Sequence, residues 1–217
     1  GHPLEAATVT ASENLCVVPS HIDLSAVEMA LAGRSGRELI LRQRIEADAR
    51  CNAEAGSADP FDYMVIDCPP SLGLLSLNAM AALDEVLLPL QPHFLALHGL
   101  SKLLETINLV SARLNPRLKI SGVVLNQIAG KRHEKVIREA IAKYCKVLVV
   151  GAIPKLRNEQ LSERHMGLTP FQEHPEVKKA IVSCADIAEK YLDLDAILKI
   201  ARKAGIGDWG LGIGSSD

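Results

Sequence analysis

Short apolar runs alternate along the chain with longer stretches whose apolar positions recur at helical spacing. The runs at residues 63–66, 86–90, 120–125 and 147–153 are dominated by aliphatic residues, as is typical of strands buried on both faces of a sheet. A further strand is predicted at 15–18, and helices near 24–32, 37–55, 71–83, 96–114, 134–144, 159–165 and 176–191. Strands that alternate with helices form βα units with right-handed crossovers. The pattern therefore predicts an α/β fold with a mostly parallel, doubly wound sheet.

The strand predicted at 63–66 leads directly to a carboxylate and two prolines. Pro69 and Pro70 lack an N–H and fix φ, so the strand ladder must end there. Asp67 is therefore expected at the carboxyl end of a central strand, where open α/β sheets bind their ligands. A strand-end Asp supports Mg²⁺ on the nucleotide phosphates in P-loop NTPases. The alternative is that Asp67 only caps the helix that follows it.

Composition narrows the possible classes of protein. The chain has 217 residues, 48% of them hydrophobic and 23% charged, which is ordinary for a soluble globular domain. We predict one domain over residues 1–204 and a flexible Gly/Ser tail at 205–217. The net charge of −2 gives no general attraction to nucleic acid or acidic membranes, so any such binding needs a local patch. No apolar run is long enough to span a bilayer, and stable membrane insertion is not expected.

The segments that follow Asp67 carry a family resemblance. They are Asp-Cys-Pro-Pro-Ser-Leu-Gly-Leu-Leu-Ser-Leu-Asn-Ala at 67–79, Leu-Leu-Pro-Leu-Gln at 87–91, the stretch 94–104, and Gly-Val-Val-Leu-Asn at 122–126. Together with residues 14–24 upstream, this ordered series resembles the ParA/Soj partition ATPases, a deviant-Walker branch of the P-loop NTPases that includes MinD. The similarity extends from about residue 14 to about residue 191.

The resemblance implies an ATP and Mg²⁺ site and assigns roles to its residues. Asp67 is the Mg²⁺-side Walker B carboxylate, acting through a water molecule, and Ser71 and Gly73 lie near the γ-phosphate. Asn126 and Pro154 border the adenine. The amide of Asn126 can both donate and accept, which suits the edge of a base, although an Asn that closes a strand into a turn explains the residue equally well. Capping and turn geometry likewise offer an alternative for Ser71 and Gly73.

The resemblance also implies DNA binding without sequence preference by surface Lys and Arg. Such binding is driven by phosphates and depends strongly on salt. Two sets of basic residues are equal candidates, and a solvated helix face is the alternative for both. They are Lys131, Arg132 and Lys135 in one set, and Arg157, Arg164, Lys178 and Lys179 in the other.

The phosphate-binding loop of this chemistry does not occur in the 217 residues. A P-loop needs G-x-x-x-x-G-K-[ST], and the Gly130-Lys131 pair is followed by Arg132 instead of Ser or Thr. The chain is either a truncated copy of a working ATPase or a short homologue that has lost catalysis. It begins Gly1-His2 without a methionine, which favours truncation. We therefore expect a sheet that lacks its first strand or strands, weak or absent ATP binding, and negligible hydrolysis by this chain alone.

The function implied is that of a ParA-type ATPase in bacterial plasmid or chromosome partition. ATP would drive formation of a homodimer on DNA, and a ParB-like partner would stimulate hydrolysis, in the cytoplasm and on the nucleoid. One alternative is an orphan ParA/MinD-like ATPase that positions another cargo. A second alternative, from a different class, is a non-catalytic binding module that has lost its P-loop.

Overall fold

The computed structural model describes residues 3–54, 61–69, 71–92, 94–156 and 177–203. The strands in this part are β1 (Val9–Ser12), β2 (Leu15–Val17), β3 (Glu85–Leu90), β4 (Lys119–Ile128) and β5 (Val149–Pro154). The helices are α1 (Val27–Ala30), α2 (Ile40–Glu54), α3 (Leu74–Ala82), α4 (Phe94–Arg113), α5 (Lys131–Tyr144), α6 (Val177–Tyr191) and α7 (Leu194–Lys203). Short 3₁₀ helices form at Leu4–Ala7, Ile22–Ala26 and Arg37–Leu39.

The described residues divide into two compact units. The first takes in those of Gly1–Asp84 and Glu105–Lys119, and the second takes in those of Glu85–Leu104 and Ile120–Ala204. The predicted boundary between a domain at 1–204 and a tail at 205–217 stays a prediction, because the tail and the helix predicted at 159–165 lie outside the described residues.

The first unit begins with a two-stranded hairpin. β1 and β2 pair antiparallel, with Val9 opposite Val17 and Thr10 opposite Cys16. The predicted strand at 15–18 is thus confirmed, but it joins this exposed hairpin and not a buried parallel sheet. The two-residue turn between the strands allows the tight connection that only antiparallel strands can use.

Helices form the core of the first unit. α2 packs against α3, and Ile45 of α2 and Met80 of α3 are both buried. α3 is apolar almost throughout, so it can be covered on several sides. The buried Asn115, just after α4, donates through Nδ2 to the carbonyl oxygens of Met80 and Leu83 at 3.1 and 2.8 Å, and thereby caps the carboxyl end of α3.

The second unit is built on a three-stranded sheet in the order β3-β4-β5. β4 and β5 run parallel, with Val123 opposite Val149 and Leu125 opposite Ala152. Gly122 lets the strands pack closely, because a Cβ there would lie 2.8 Å from Leu87 Cδ2 and about as near to Val150. The predicted α/β class with a parallel sheet is confirmed.

The turn between α6 and α7 covers the edge of β5. Asp193 N donates to Val150 O at 2.7 Å, and Leu192 forms an antiparallel bridge with Gly151. A Cβ at residue 151 would collide with Leu192 Cδ2, so glycine is needed for this approach. Covering an edge strand in this way removes a surface on which another chain could pair.

The predicted strand at 63–66 is wrong. The described segment 61–69 has no regular secondary structure, and Val65 is 91% exposed. An apolar run becomes a buried parallel strand only when neighbouring strands pair with it, and among the described residues the sheet consists of β3, β4 and β5 without the 63–66 segment. The apolar composition alone therefore did not determine the structure here.

Candidate functional site

Asp67 lies on the surface of the first unit, at the end of the irregular segment 61–69. Its neighbour Cys68 is exposed as a whole residue, but its Sγ approaches Ile66 O to 3.8 Å. Partial burial of the thiol and, second, the negative charge of Asp67 raise the pKa of Cys68. The Asp67 carboxylate therefore acts on the Cys68 thiol, its neighbour in the sequence.

The loop after Asp67 is tied to the first turn of α3. Ser76 Oγ donates to Ser71 O at 2.6 Å and lies 3.4 Å from Pro69 O. The Ser76 hydroxyl thus connects the loop to α3. It supplies a donor to loop carbonyl groups that are not hydrogen-bonded in a β-sheet. Sequence reasoning did not single out Ser76, although a Ser in the first turn of an apolar helix is a signal for such a bond.

Glu28 approaches the same loop from α1. Its Oε1 accepts from Leu75 N at 3.5 Å, although the two residues are 47 positions apart. Gly73 is the N-cap of α3, and it has no side chain that could accept a hydrogen bond from the N–H groups in the first turn of this helix. Sequence reasoning missed Glu28, because nothing in its local pattern indicates a contact so distant along the chain.

Asn126 lies in a bulge of β4, in the second unit. Leu125 is opposite Ala152 and Ile128 is opposite Pro154, so two residues of β4 between them face one residue of β5. Gln127 adopts a positive φ of 58°, and its N–H donates to Asn126 Oδ1 at 2.9 Å. A bulge of this kind changes the direction of a side chain at the end of a strand. Asn126 was predicted to follow the strand, but it lies within β4.

Pro154 ends β5 beside this bulge. It is opposite Ile128 in the register, and Lys155 N donates to Ile128 O at 3.0 Å. The sheet thus brings Asn126 and Pro154 to the carboxyl ends of two adjacent parallel strands, the edge at which α/β proteins bind ligands. Asp67, Ser71 and Gly73 belong to the first unit, whereas Asn126 and Pro154 belong to the second.

The first set of basic residues lies around the start of α5. Lys131 and Arg132 are exposed and line a shallow, open depression together with Gly130, His133 and Val136. Lys135 is exposed as well, at 3.9 Å from Glu139 on the next turn. Arg138, in contrast, bonds to Glu134 and to Val149 O, so its guanidinium is engaged within the fold.

The second set is less completely described. Lys178 and Lys179 lie in α6, and Lys179 is exposed. Arg157 and Arg164 lie outside the described residues.

A complete Mg²⁺·ATP site is not formed by the residues that the structure describes. Among them, no group of three or more His, Cys, Asp or Glu side chains could hold a metal ion. Asp67 can supply one carboxylate, and Asn126 can supply an amide for a base, but the phosphate-binding sequence G-x-x-x-x-G-K-[ST] does not occur in the chain.

Within the described ranges, no helix is both long and apolar enough to cross a membrane.

Comparison with known proteins finds one matching protein family and several similar proteins. Over residues 3–120 the chain matches the protein family described as AAA domain. It is 41% identical to the chromosome partitioning protein ParA of Caulobacter vibrioides over 162 residues, which are 74% of this chain and 57% of that protein. It is 37% identical to the sporulation initiation inhibitor protein Soj of Bacillus subtilis over 161 residues, which are 74% of this chain and 60% of that protein. The chain therefore spans less than two thirds of the length of both relatives.

Among solved structures, the chain is similar to cobyrinic acid a,c-diamide synthase from Mycobacterium smegmatis with bound ATP analog and magnesium. The TM-score is 0.60 at 32% sequence identity, and the match covers 71% of this chain and 61% of that chain.

Proposed function

Because the chain belongs to the AAA domain family and, within it, to the ParA/Soj partition ATPases, we propose that it acts in bacterial plasmid or chromosome partition. In this role ATP binding drives homodimerisation, the dimer binds DNA without sequence preference, and a ParB-like partner stimulates hydrolysis. The cycle takes place in the cytoplasm, on the nucleoid. We assign this cycle to the whole protein. The residues described above contribute only part of the ATP site and of the DNA-binding surface that the cycle needs.

The observation that carries this proposal is the position of Asn126 and Pro154 near the carboxyl ends of the paired strands β4 and β5. Since a backbone N–H can bond only to an acceptor, the atom of Asn126 that faces Gln127 N is Oδ1. The Nδ2 group can then donate to a ring nitrogen of adenine. Pro154, the last residue of β5, borders the same end of the sheet and would contact the base through its backbone and ring.

Asp67 would hold Mg²⁺ through a water molecule, with Ser71 and Gly73 bordering the γ-phosphate. Magnesium, when bound, supplies positive charge that offsets the charge of the triphosphate. The lysine and the backbone N–H groups that cradle the phosphates are to be supplied by residues outside these 217. We therefore expect the 217-residue chain to bind Mg²⁺·ATP weakly and to hydrolyse it negligibly.

Fusion to a phosphate-binding segment tests this assignment. The region of Caulobacter ParA that precedes its similarity to this chain is joined to Gly1, and ATP turnover is measured with and without duplex DNA. We expect turnover from the fusion, none above background from the chain alone, and a loss of about tenfold or more when Asp67 is replaced by Asn in the fusion. Asp62→Asn, an exposed carboxylate of the same segment, is the matched control. Turnover by the unfused chain, or a fusion that is indifferent to Asp67→Asn, would contradict the proposal.

DNA contact by the start of α5 is supported by the exposure of Lys131 and Arg132. In the fusion, with ATP, affinity for a non-specific duplex is measured by fluorescence anisotropy between about 50 and 200 mM salt. Each phosphate contact that is lost should reduce the salt dependence by about one unit of slope. The double substitution Lys131→Gln and Arg132→Gln should therefore lower the slope by about two. Lys179→Gln on α6 tests the second set of basic residues and should leave the slope unchanged. A fall in slope only for Lys179→Gln would assign DNA binding to that set.

A non-catalytic binding module is the second candidate function, and the lack of G-x-x-x-x-G-K-[ST] favours it. Calorimetric titration of the chain with Mg²⁺·ATP separates the two. Weak binding that Asn126→Ala abolishes supports the nucleotide-site proposal, whereas no heat, together with no turnover by the folded fusion, supports the module.

A further inference from the structure

A short loop joins β4 to α5, and His133 holds this loop from the helix side. β4 ends at Ile128 and α5 begins at Lys131. Ala129 N, in the loop between them, donates to His133 Nδ1 at 3.3 Å. Gly130, the N-cap of α5, has no side chain that could accept a hydrogen bond. The third residue of the helix therefore reaches back to a backbone N–H before it, as the third residue of a capping box does.

The same loop continues the bulge that contains Asn126. Gln127 N donates to Asn126 Oδ1 at 2.9 Å, and Ile128 O accepts from Lys155 N at 3.0 Å. The next residue along the chain forms the bond to the imidazole of His133. Each of the three residues after Asn126 thus has a backbone group in a hydrogen bond. A change at His133 can therefore reach Asn126 through three consecutive residues.

The bond from Ala129 determines which ring nitrogen of His133 carries a proton. Since a backbone N–H only donates, Nδ1 must present its lone pair, and the neutral ring carries its hydrogen on Nε2. A protonated ring has a hydrogen on both nitrogens, so its Nδ1 cannot accept. A positive charge in the first turn of a helix is also unfavourable, because the N–H groups there carry partial positive charge. Protonation of His133 therefore breaks the bond to Ala129.

The charged groups around His133 are mostly cations. Glu134, the neighbouring carboxylate on α5, bonds to Arg138 at 2.7 Å. α5 packs against β5, which contains no charged residue, and the one charged residue of β4 is Lys119 at its first position. The nearby cations are Lys131 and Arg132, which line the same depression as His133, and Lys155, which follows β5. Cationic side chains cannot accept a hydrogen bond, so they do not replace the bond that protonation breaks.

We propose that His133 is a positioning residue: its neutral imidazole fixes the loop between Asn126 and α5, and its protonation in mild acid releases this loop. The inference rests on the proposed role of Asn126 beside adenine. His133 does not touch the base in this scheme, and it acts through the backbone from Ala129 to the bulge at Gln127. Nucleotide binding at this end of the sheet therefore weakens as the imidazole becomes charged, in the range between pH 8 and pH 5 where histidine titrates.

The first experiment tests the bond in the full chain without any ligand. Long-range proton–nitrogen NMR spectra of the histidine rings show which nitrogen carries the proton, and amide exchange, corrected for the intrinsic effect of pH, gives the protection of Ala129. At pH 8 we expect the proton of the His133 ring on Nε2. Between pH 8 and pH 5 the protection of Ala129 should fall about threefold. A proton on Nδ1 at pH 8, or equal protection at both pH values, would overturn the proposal.

Two substitutions separate this role from a general loosening of the chain in acid. His133→Asn keeps an acceptor that does not titrate, because the amide oxygen of asparagine lies as many bonds from the backbone as Nδ1 does. Ala129 should stay protected at both pH values in His133→Asn and should lack this protection at both in His133→Ala. His21→Asn is the matched control, because His21 Nδ1 accepts from Asp23 N in the first unit and the variant should keep the wild-type pH dependence at Ala129. The same pH dependence in wild type and His133→Asn would overturn the proposal.

Titration of the full chain with Mg²⁺·ATP tests the effect on Asn126. The NMR signals of the Asn126 side-chain amide and the Gln127 backbone amide are followed at pH 8 and at pH 5. The dissociation constant should increase about threefold more in wild type than in His133→Asn, which corrects for the titration of ATP itself. An equal increase in both chains would overturn the positioning role and leave the proposed base contact of Asn126 intact. If ATP shifts neither signal in either chain, that base contact is wrong, and the positioning role with it.

Discussion

Asn78 of α3 accepts a hydrogen bond from Leu41 N in the first turn of α2, at 3.1 Å. Its Nδ2 group donates to Arg37 O and to Leu74 O, each at 2.9 Å. The side chain is only 8% exposed, and both its donors and its oxygen have partners. Asn78 therefore links the start of α2 to the buried helix that follows the Asp67 loop.

Replacing Asn78 with Asp should destabilise the chain strongly. The substitution places a carboxylate oxygen against the carbonyl oxygens of Arg37 and Leu74 and removes both donors, so we expect the free energy of unfolding to fall by about 2–4 kcal/mol. Urea denaturation followed by circular dichroism measures the change. Asn14→Asp, in the exposed turn between β1 and β2, is the matched control and should change stability by less than about 0.5 kcal/mol. Similar losses in both variants would show that the Asn78 bonds contribute little.

Gly151 should be intolerant of any side chain. In Gly151→Ala the new Cβ would collide with Leu192 Cδ2 and lie 3.0 Å from Tyr191 O, a backbone atom that can move only with the α6–α7 turn. We expect a loss of about 1–3 kcal/mol in unfolding free energy and faster exchange of the Asp193 amide, which bonds to Val150 O. Gly130→Ala is the control, because a Cβ there meets nothing within 4 Å. Equal stability of the two variants would contradict the close approach.

Most elements with a clear apolar pattern were predictable from the sequence, whereas contacts between distant segments were not. The helices α3, α4 and α5 and the strands β3, β4 and β5 follow the apolar pattern. The α/β fold type is also that of the similar solved cobyrinic acid a,c-diamide synthase. The strand predicted at 63–66 was wrong because a strand is defined by its partners and not by its own composition.

The candidate site also contains features that the sequence predicts and features that depend on contacts between distant segments. Asn126 and Pro154 were identified from the resemblance, and their adjacency follows from the parallel pairing of β4 and β5. The bulge at Gln127 depends on the register between two strands, which the sequence of either strand does not specify. The approach of Glu28 to Gly73 likewise depends on how α1 packs, so local pattern gives no sign of it.

Lys146 should be replaceable by glycine with a gain in stability. It follows the C-cap of α5, and its N–H donates to Ile141 O at 3.1 Å while its φ is 55°. Glycine adopts this left-handed conformation without the steric cost that a Cβ imposes, so Lys146→Gly should raise the unfolding free energy by about 0.5–1 kcal/mol. Lys143→Gly, inside the last turn of α5, removes the same charge and should lose about 1 kcal/mol. A loss in Lys146→Gly would contradict the assigned backbone conformation.

Neutralising Asp67 should make the neighbouring thiol more reactive. Burial and, second, the Asp67 charge raise the pKa of Cys68, so less thiolate is present at a given pH and alkylation is slowed. Asp67→Asn removes the smaller of the two causes, which should lower this pKa and speed the reaction with iodoacetamide by about twofold near pH 8 in metal-free buffer. Peptide-resolved mass spectrometry gives the rate at Cys68 separately from those of the other cysteines. Asp62→Asn, in the same exposed segment, should leave the rate unchanged, and the gain in Asp67→Asn should shrink as salt is added. If both variants accelerate alkylation equally, the effect comes from net charge and not from the proximity of Asp67 to the thiol.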